Sequence, residues 1–500
     1  MKGYFSQGLF GRDLLGSIVV FLVALPLCMG IAIASGMPPA TGLVTGIIGG
    51  LAVGAFAGSP LQVSGPAAGL AVLVFELVQR YGVAALGPVV LLAGLIQVAA
   101  GLCRVGIWFR MTSPAVVSGM LSGIGILIVA SQIHVMLDAK PLARGLENFA
   151  ALPGALAIAL RGPGIAALCV GLATIGIMLA WEKFRPSKLR FVPGALLAVV
   201  AVTATVQLLG IGVNLVNVPA SLASAITLPT FDSMRGLLDE NLLIAAVTFA
   251  FIASAETLLS AAAVDRMHNG ERTKYDKELT AQGVGNMLCG LLGALPMTGV
   301  IVRSAANVQA GSATRMATIL HGAWLLVLAM LLPWLLNMTP VSCLAGILVF
   351  TGVKMVKFRQ VKELAVYGKG TAVVYMATMV AIVATDLLVG VIIGFGLSLF
   401  RLALLSSKLR ADLHEHDEPG HATFNLKGSA TFLQVPAMAR KLDAMRANTK
   451  VTVDITELSH VDQACLELLK EWERNAQSRG IEIVLDWNQL DERVEGRQVA

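Results

Sequence analysis

Two short stretches decide the fold: Leu61-Gln62-Val63-Ser64-Gly65-Pro66-Ala67, and Ala294-Leu295-Pro296-Met297-Thr298-Gly299-Val300-Ile301-Val302-Arg303-Ser304. Each reads as a few extended residues that run into a short helix inside an apolar region. One helix begins near Gly65-Pro66 and the other near Gly299. The two breaks are 299−65 = 234 residues apart, and the apolar segments that open each half, at Leu14 and Asn241, are 241−14 = 227 apart. Gly and Pro also kink ordinary membrane helices. Breaks at matching places in two halves instead predict an internal repeat with a binding site between the broken helices.

Composition supplies the solvent. Hydrophobic residues make up 56% of the chain and charged ones 14%, against roughly half and a quarter in soluble domains. About 20 apolar residues cross a bilayer as a helix. Segments that fit begin near Leu14, Thr41, Val89, Ala115, Gly164, Phe191, Asn241, Thr280, Ala317, Val341, Thr371 and Leu387. With the two short helices, the expectation is an α-helical membrane protein of 14 spans. Seven spans per half is an odd number, so the second half is inverted.

The excess of positive charge sits in short loops and sets orientation; it does not point to nucleic acid. Lys183, Arg185, Lys188 and Arg190 form one cluster; Arg266, Arg272, Lys274 and Lys277 a second; Lys354, Lys357, Arg359 and Lys362 a third; Arg401, Lys408 and Arg410 a fourth. Fourteen spans put all four on one face together with Lys2 and Arg12, and the positive-inside rule makes that face cytoplasmic. The first apolar segment has no cleavage pattern close behind it and reads as an uncleaved span. Expected domain bounds are 1–410 for the membrane part, 411–420 for a polar linker and 421–500 for a cytoplasmic domain of βαβαβ order. The linker histidines His414 and His416 lack further ligands in a metal-site pattern. The six cysteines show no CxxC spacing and read as packing thiols.

Glycine recurs every fourth residue from Gly42 through Gly46, Gly50, Gly54 and Gly58, a ridge that lets a neighbouring helix come to backbone contact. Gly119 with Gly123, and Gly390 with Gly394, repeat the pattern.

The chemistry is expected at the breaks. Helix N-termini carry unsatisfied N–H groups and about half a positive charge each, which makes an anion site. Ser64, Gly65, Pro66 and Ala67 form one side of it, and Thr298, Gly299, Val300 and Arg303 the other. A guanidinium at membrane depth costs several kcal/mol unless paired or hydrated, so Arg303 is expected to face the cavity or to sit in an internal ion pair. Glu256 is alone in its span, with Ser260 one turn on. Three roles are open to it: a proton carrier, part of a cation site with Ser260, or a partner for Arg303. Glu76 lies near the end of the first short helix, and His134 and His321 are expected near span ends. No GxxxxGK[ST] loop and no hydrolase constellation occurs, which argues against an ATP-driven pump or an enzyme.

These residues resemble the SulP family of sulfate-permease-like anion transporters. Leu25-Pro26-Leu27-Cys28-Met29-Gly30-Ile31-Ala32-Ile33-Ala34-Ser35-Gly36 is similar to the family's first-span signature, and Leu295-Pro296-Met297-Thr298-Gly299 with Arg303-Ser304 to its tenth-span signature. The C-terminal domain resembles a STAS domain through Val451-Thr452-Val453-Asp454-Ile455 and Val461-Asp462, with Gln463 where regulatory relatives carry a phosphorylated serine. The resemblance implies a 7+7 inverted repeat, core and gate parts that move against each other, and a homodimer in a bacterial inner membrane. It also implies a small inorganic anion as substrate. The apolar Leu-Pro-Leu form looks like the bicarbonate-transporting branch, where a carboxylate and a hydroxyl resembling Glu256 and Ser260 hold sodium. Glu replaces a shorter Asp here and Ile301 offers no hydroxyl, so sodium and protons both stand as coupling ions, with no cofactor beyond such an ion.

Overall fold

The computed structural model describes residues 9–106, 113–142, 144–162, 164–186, 192–219, 221–356, 358–366, 369–406, 409–415, 421–430, 434–461, 463–477, 479–487 and 489–490. Lys2, Lys188, Arg190, Lys357, Lys408, Asp462 and positions 416–420 lie outside them. The chain forms two units, Met1–Gly394 and Phe395–Ala500, which divide inside the last apolar helix and not at 410.

In the first unit, long runs without polar rhythm give helices that satisfy their own backbone groups where water is absent. In chain order the principal helices are α1 (Leu9–Ala34), α2 (Pro39–Phe56), α3 (Ala68–Tyr81), α4 (Leu86–Leu102), α5 (Pro114–Met136), α6 (Gly145–Ala159), α7 (Gly164–Phe184), α8 (Gly194–Leu209), α9 (Glu240–Asp265), α10 (Tyr275–Leu291), α11 (Ile301–Gln309), α12 (Met316–Leu331), α13 (Val341–Met355), α14 (Lys369–Ala384) and α15 (Leu387–Ser406). Among the described residues eight helices are long and apolar enough to cross a membrane. Each of the fourteen expected segments is helical. Helix α6 is additional; at 15 residues it is about 22 Å long, shorter than a hydrocarbon core of about 30 Å.

The two breaks meet. Strands β1 (Ser64–Pro66) and β2 (Met297–Gly299) pair antiparallel, with Ser64 opposite Gly299 and Pro66 opposite Met297. The helices after them therefore leave in opposite directions. They begin at Ala68 and Ile301, two or three residues later than expected. The extended backbone lasts longer because its partner lies more than 200 residues away, which local sequence does not display. Side chains close the strand edges. The Asn286 amide accepts the Met297 N–H at 2.7 Å and donates to its carbonyl at 3.1 Å. The Thr257 hydroxyl accepts the Gly299 N–H at 3.1 Å, and Gln62 donates to the Thr257 carbonyl at 3.0 Å.

The glycine ridge on α2 works as expected: a side chain at Gly42 would strike the Cys28 carbonyl on α1, and one at Gly50 would fall 2.5 Å from Gly322 on α12. The pairs Gly119/Gly123 and Gly390/Gly394 both close on Thr378 and Ile382 of α14, so α5 and α15 grip one helix. Cys28, Cys289, Cys343 and Cys465 are buried free thiols, while Cys103 and Cys169 are exposed.

The second unit differs from the expected βαβαβ order by two strands. Strand β3 (Leu409–Glu415) pairs antiparallel with β4 (His421–Ala430), so the first half of the expected linker is an edge strand. Its Leu409, Ala411 and Leu413 alternate with Arg410, Asp412 and His414, a period-two signal masked by charge. Strand β5 (Lys450–Asp454) lies parallel to β4, β6 (Leu458–Val461) pairs with the end of β4, and β7 (Glu482–Val484) flanks β5. Helices α16 (Val435–Asp443) and α17 (Gln463–Gln477) bury Met438, Leu442, Leu469 and Trp472 in one core with Phe424, Leu426 and Val451.

Candidate anion-binding site

The half-helices α3 and α11 start from Ala67 and Val300, neither of which caps the helix with a side chain. The first helical bonds run from the Leu70 N–H to Ala67 and from the Ser304 N–H to Val300. The N–H groups just before them, at Ala68 and Gly69 and from Ile301 to Arg303, have no partner within their helices. Both N-termini border one cavity of 440 Å³, lined among others by Leu27 and Ile31 on α1, Ala68 on α3, Leu121 on α5, Glu256 and Ser260 on α9, Val300, Ile301 and Val302, and Lys354 on α13. A vestibule of 620 Å³ shares Val23, Met178, Glu182 and Phe350 with it and adds Arg185 and Gln309. Arg185 and Gln309 at the vestibule's rim are exposed.

Glu256 is half-buried, and its Oε2 is sealed from solvent without a hydrogen-bond partner. It lies against the first turn of α3, where a side chain at Gly69 would fall 2.8 Å from that oxygen. The Thr298 hydroxyl lies within its reach. Lys354 pairs with Glu182 and stands 4.5 Å over the Phe350 ring.

The other expected site residues are placed differently. Ser64 turns away from the cavity and accepts a hydrogen bond from Gln282. Gly65, Pro66 and Thr298 are strand residues, and the Gly299 N–H is spent on Thr257. The unspent N–H groups that border the cavity therefore belong to the first helical turns and not to the strands. Arg303 is fully buried and packs behind Gly65, where a side chain at Gly65 would strike its guanidinium. Its nitrogens have no hydrogen-bond partner among the described residues, so neither the cavity-facing placement nor the ion pair with Glu256 is formed. His321 is fully buried against Gly50, and His134 is buried and bonded to the Asn148 carbonyl at 2.9 Å.

Sequence reasoning passed over Glu278, Gln282 and Asn286. Their spacing of four within α10 was the signal: a polar stripe in an apolar span faces an interior. All three are buried, and they hold the loop before β1, Ser64 and β2 respectively.

The sulfate permease family model matches residues 10–378. The chain belongs to the sulfate permease family. A STAS domain model matches residues 414–487. Among curated relatives, a putative sulfate transporter, YvdB of Bacillus subtilis, is 28% identical over 88% of this chain and 84% of its own length. The bicarbonate transporter BicA of Synechocystis is 27% identical over 97% of this chain and 90% of its own. Among solved structures, the transmembrane domain of a cyanobacterial BicA superposes with a TM-score of 0.68 at 27% identity, over 76% of this chain and 97% of that one. The murine Solute Carrier 26 family member A9 anion transporter in the inward-facing state has the same fold, with a TM-score of 0.74 at 15% identity over 98% of this chain and 87% of its own. The family is one of multi-pass membrane transporters, not of enzymes.

Proposed function

We propose that this anion transporter carries bicarbonate by alternating access, coupled to sodium or protons through Glu256 and Ser260. One observation carries the reading: two uncapped helix N-termini and a carboxylate with a partnerless oxygen share one cavity. An anion bound at the N-termini repels an ionised Glu256 in low dielectric. A proton or sodium ion on Glu256 removes that repulsion, so anion and cation bind together and symport follows. Arg303 acts through the Gly65 backbone as a fixed positive field and not as a direct ligand. Among the described residues the cavity wall holds one cation, Lys354, which Glu182 already engages, together with the carboxylate of Glu256. That balance suits a monovalent anion better than a divalent one.

The chain is placed in a bacterial inner membrane with its N-terminus and STAS domain cytoplasmic, as a homodimer. Uptake of labelled bicarbonate into proteoliposomes under an inward sodium or pH gradient tests the reading. Accumulation that sulfate does not compete away is expected. The names of several relatives favour a second reading, proton-coupled sulfate or dicarboxylate carriage, and sulfate accumulation with no bicarbonate uptake would replace the first by it. Anion binding with no flux under any gradient would leave a binding scaffold instead.

A further inference from the structure

The 14 residues of α3 span about 20 Å, and the helix separates two compartments. Its N-terminal Ala68 borders the inner cavity. Beyond the next turn, Val72, Leu73, Glu76 and Arg80 form one wall of a chamber of 240 Å³, and Leu127, Arg144 and Asp386 stand on the opposite wall. The chamber lies beyond the far end of α1: Val19 and Val23 border the vestibule, Leu27 and Ile31 the inner cavity, and just past the helix a side chain at Gly36 would fall 3.1 Å from the Phe75 ring on α3. On α5, Leu121 faces the cavity and Leu127 the chamber. What parts the compartments is a thin apolar wall, with Leu70, Ala71 and Ile124 buried in it.

The chamber's charges are unevenly committed. Glu76 is held by Arg80 at 2.8 Å, and Asp386 accepts the Val389 N–H at 2.8 Å. Arg144 meets Glu147 only at 3.9 Å, and the side chains of Arg80 and Arg144 are 55% and 64% exposed. Each guanidinium has five N–H donors, most of them free for an oxyanion, and such exposed pairs yield readily to a competitor.

We infer that this chamber is the outer mouth of the anion path, shut off here by the α3–α5 wall, and that Arg80 and Arg144 select anions there. The inference rests on the transport reading, but its test needs no flux. Leu73→Cys and Leu259→Cys are made in a chain with Cys103 and Cys169 replaced by alanine, and labelled in sealed vesicles of both orientations with membrane-impermeant thiol reagents. Leu73→Cys should react at least tenfold faster from the face opposite Arg185, while Leu259→Cys reacts from the Arg185 face. Reaction of Leu73→Cys from the Arg185 face, from both faces or from neither overturns the assignment of the mouth. An anionic methanethiosulfonate should outpace a cationic one at Leu73→Cys, and Arg80→Gln with Arg144→Gln should lower that ratio at least threefold. An unchanged ratio removes the two arginines from anion selection. Correct sidedness with no anion uptake would sink the transport reading alone.

Discussion

Glu256 and Glu278 are carboxylates on consecutive helices, and their surroundings are opposite. Glu278 is fully buried; its Oε2 accepts the Ser59 N–H at 2.9 Å and its Oε1 the Gln282 amide at 3.0 Å. Through Gln282 it reaches Ser64, so it fastens the loop before β1 and the strand itself to α10. Glu256 has an oxygen with no partner, a cavity in front of it and a helix N-terminus beside it. A buried acid whose two oxygens both accept hydrogen bonds from the scaffold is already satisfied. One with a sealed, unspent oxygen is poised for a cation that arrives from outside. The comparison teaches that partners, and not burial or charge, separate scaffold from mechanism.

The sharpest way to break this comparison is to neutralise each acid. Glu256→Gln keeps size and removes the charge, so gradient-driven accumulation should disappear while the melting temperature in detergent stays close to that of the unaltered chain. Retained dependence on the sodium or pH gradient would take Glu256 out of coupling. Glu278→Ala should do the reverse. It orphans the Ser59 N–H and one N–H of the Gln282 amide, each worth about 1–3 kcal/mol when left unpaired, and is expected to destabilise by about 3 kcal/mol in thermal unfolding. Glu278→Gln, which keeps an acceptor, should recover part of that loss without changing ion dependence. If Glu278→Gln instead altered ion dependence at full stability, the division of labour between the two acids would be wrong.

Much of this was legible in the sequence, because its signals are local. The breaks at Gly65 and Gly299, the inverted halves, the α2 glycine ridge and the isolation of Glu256 all come from composition and spacing. The pairing of β1 with β2 was not legible, since it joins segments more than 200 residues apart, and with it went the fate of Ser64 and the Gly299 N–H. Edge strand β3 was hidden by Asp412 and His414 in its period-two pattern. Arg303 was expected to face the cavity or to sit in an ion pair, and it packs behind Gly65 instead. Nothing in Gly299-Val300-Ile301-Val302-Arg303 tells that Gly65 leaves room for a guanidinium behind the strand.

That placement gives the next test, intermediate in size. Arg303→Met fills similar space without charge, so it should spare folding and weaken anion binding about tenfold, or about 1.4 kcal/mol, as read by anion-dependent thermal stabilisation. Loss of fold with unchanged affinity in the surviving fraction would make Arg303 a packing residue only.

The smallest expected effect concerns Lys354 on the cavity wall. Lys354 and Glu182 are half-exposed, with side-chain exposures of 50% and 45%, and such pairs are worth about 0–1 kcal/mol. Glu182→Gln should therefore leave stability unchanged within error while freeing Lys354 for the substrate. The half-saturating anion concentration should fall up to about fivefold, the equivalent of that same energy. Because Lys354 is half-exposed, the new attraction should fade as ionic strength rises toward 1 M, where screening acts within about 3 Å. A gain in affinity that survives high salt would mean that Lys354 meets the anion in the dry part of the cavity, beside Glu256. The two charges would then have to be treated as one coupled site.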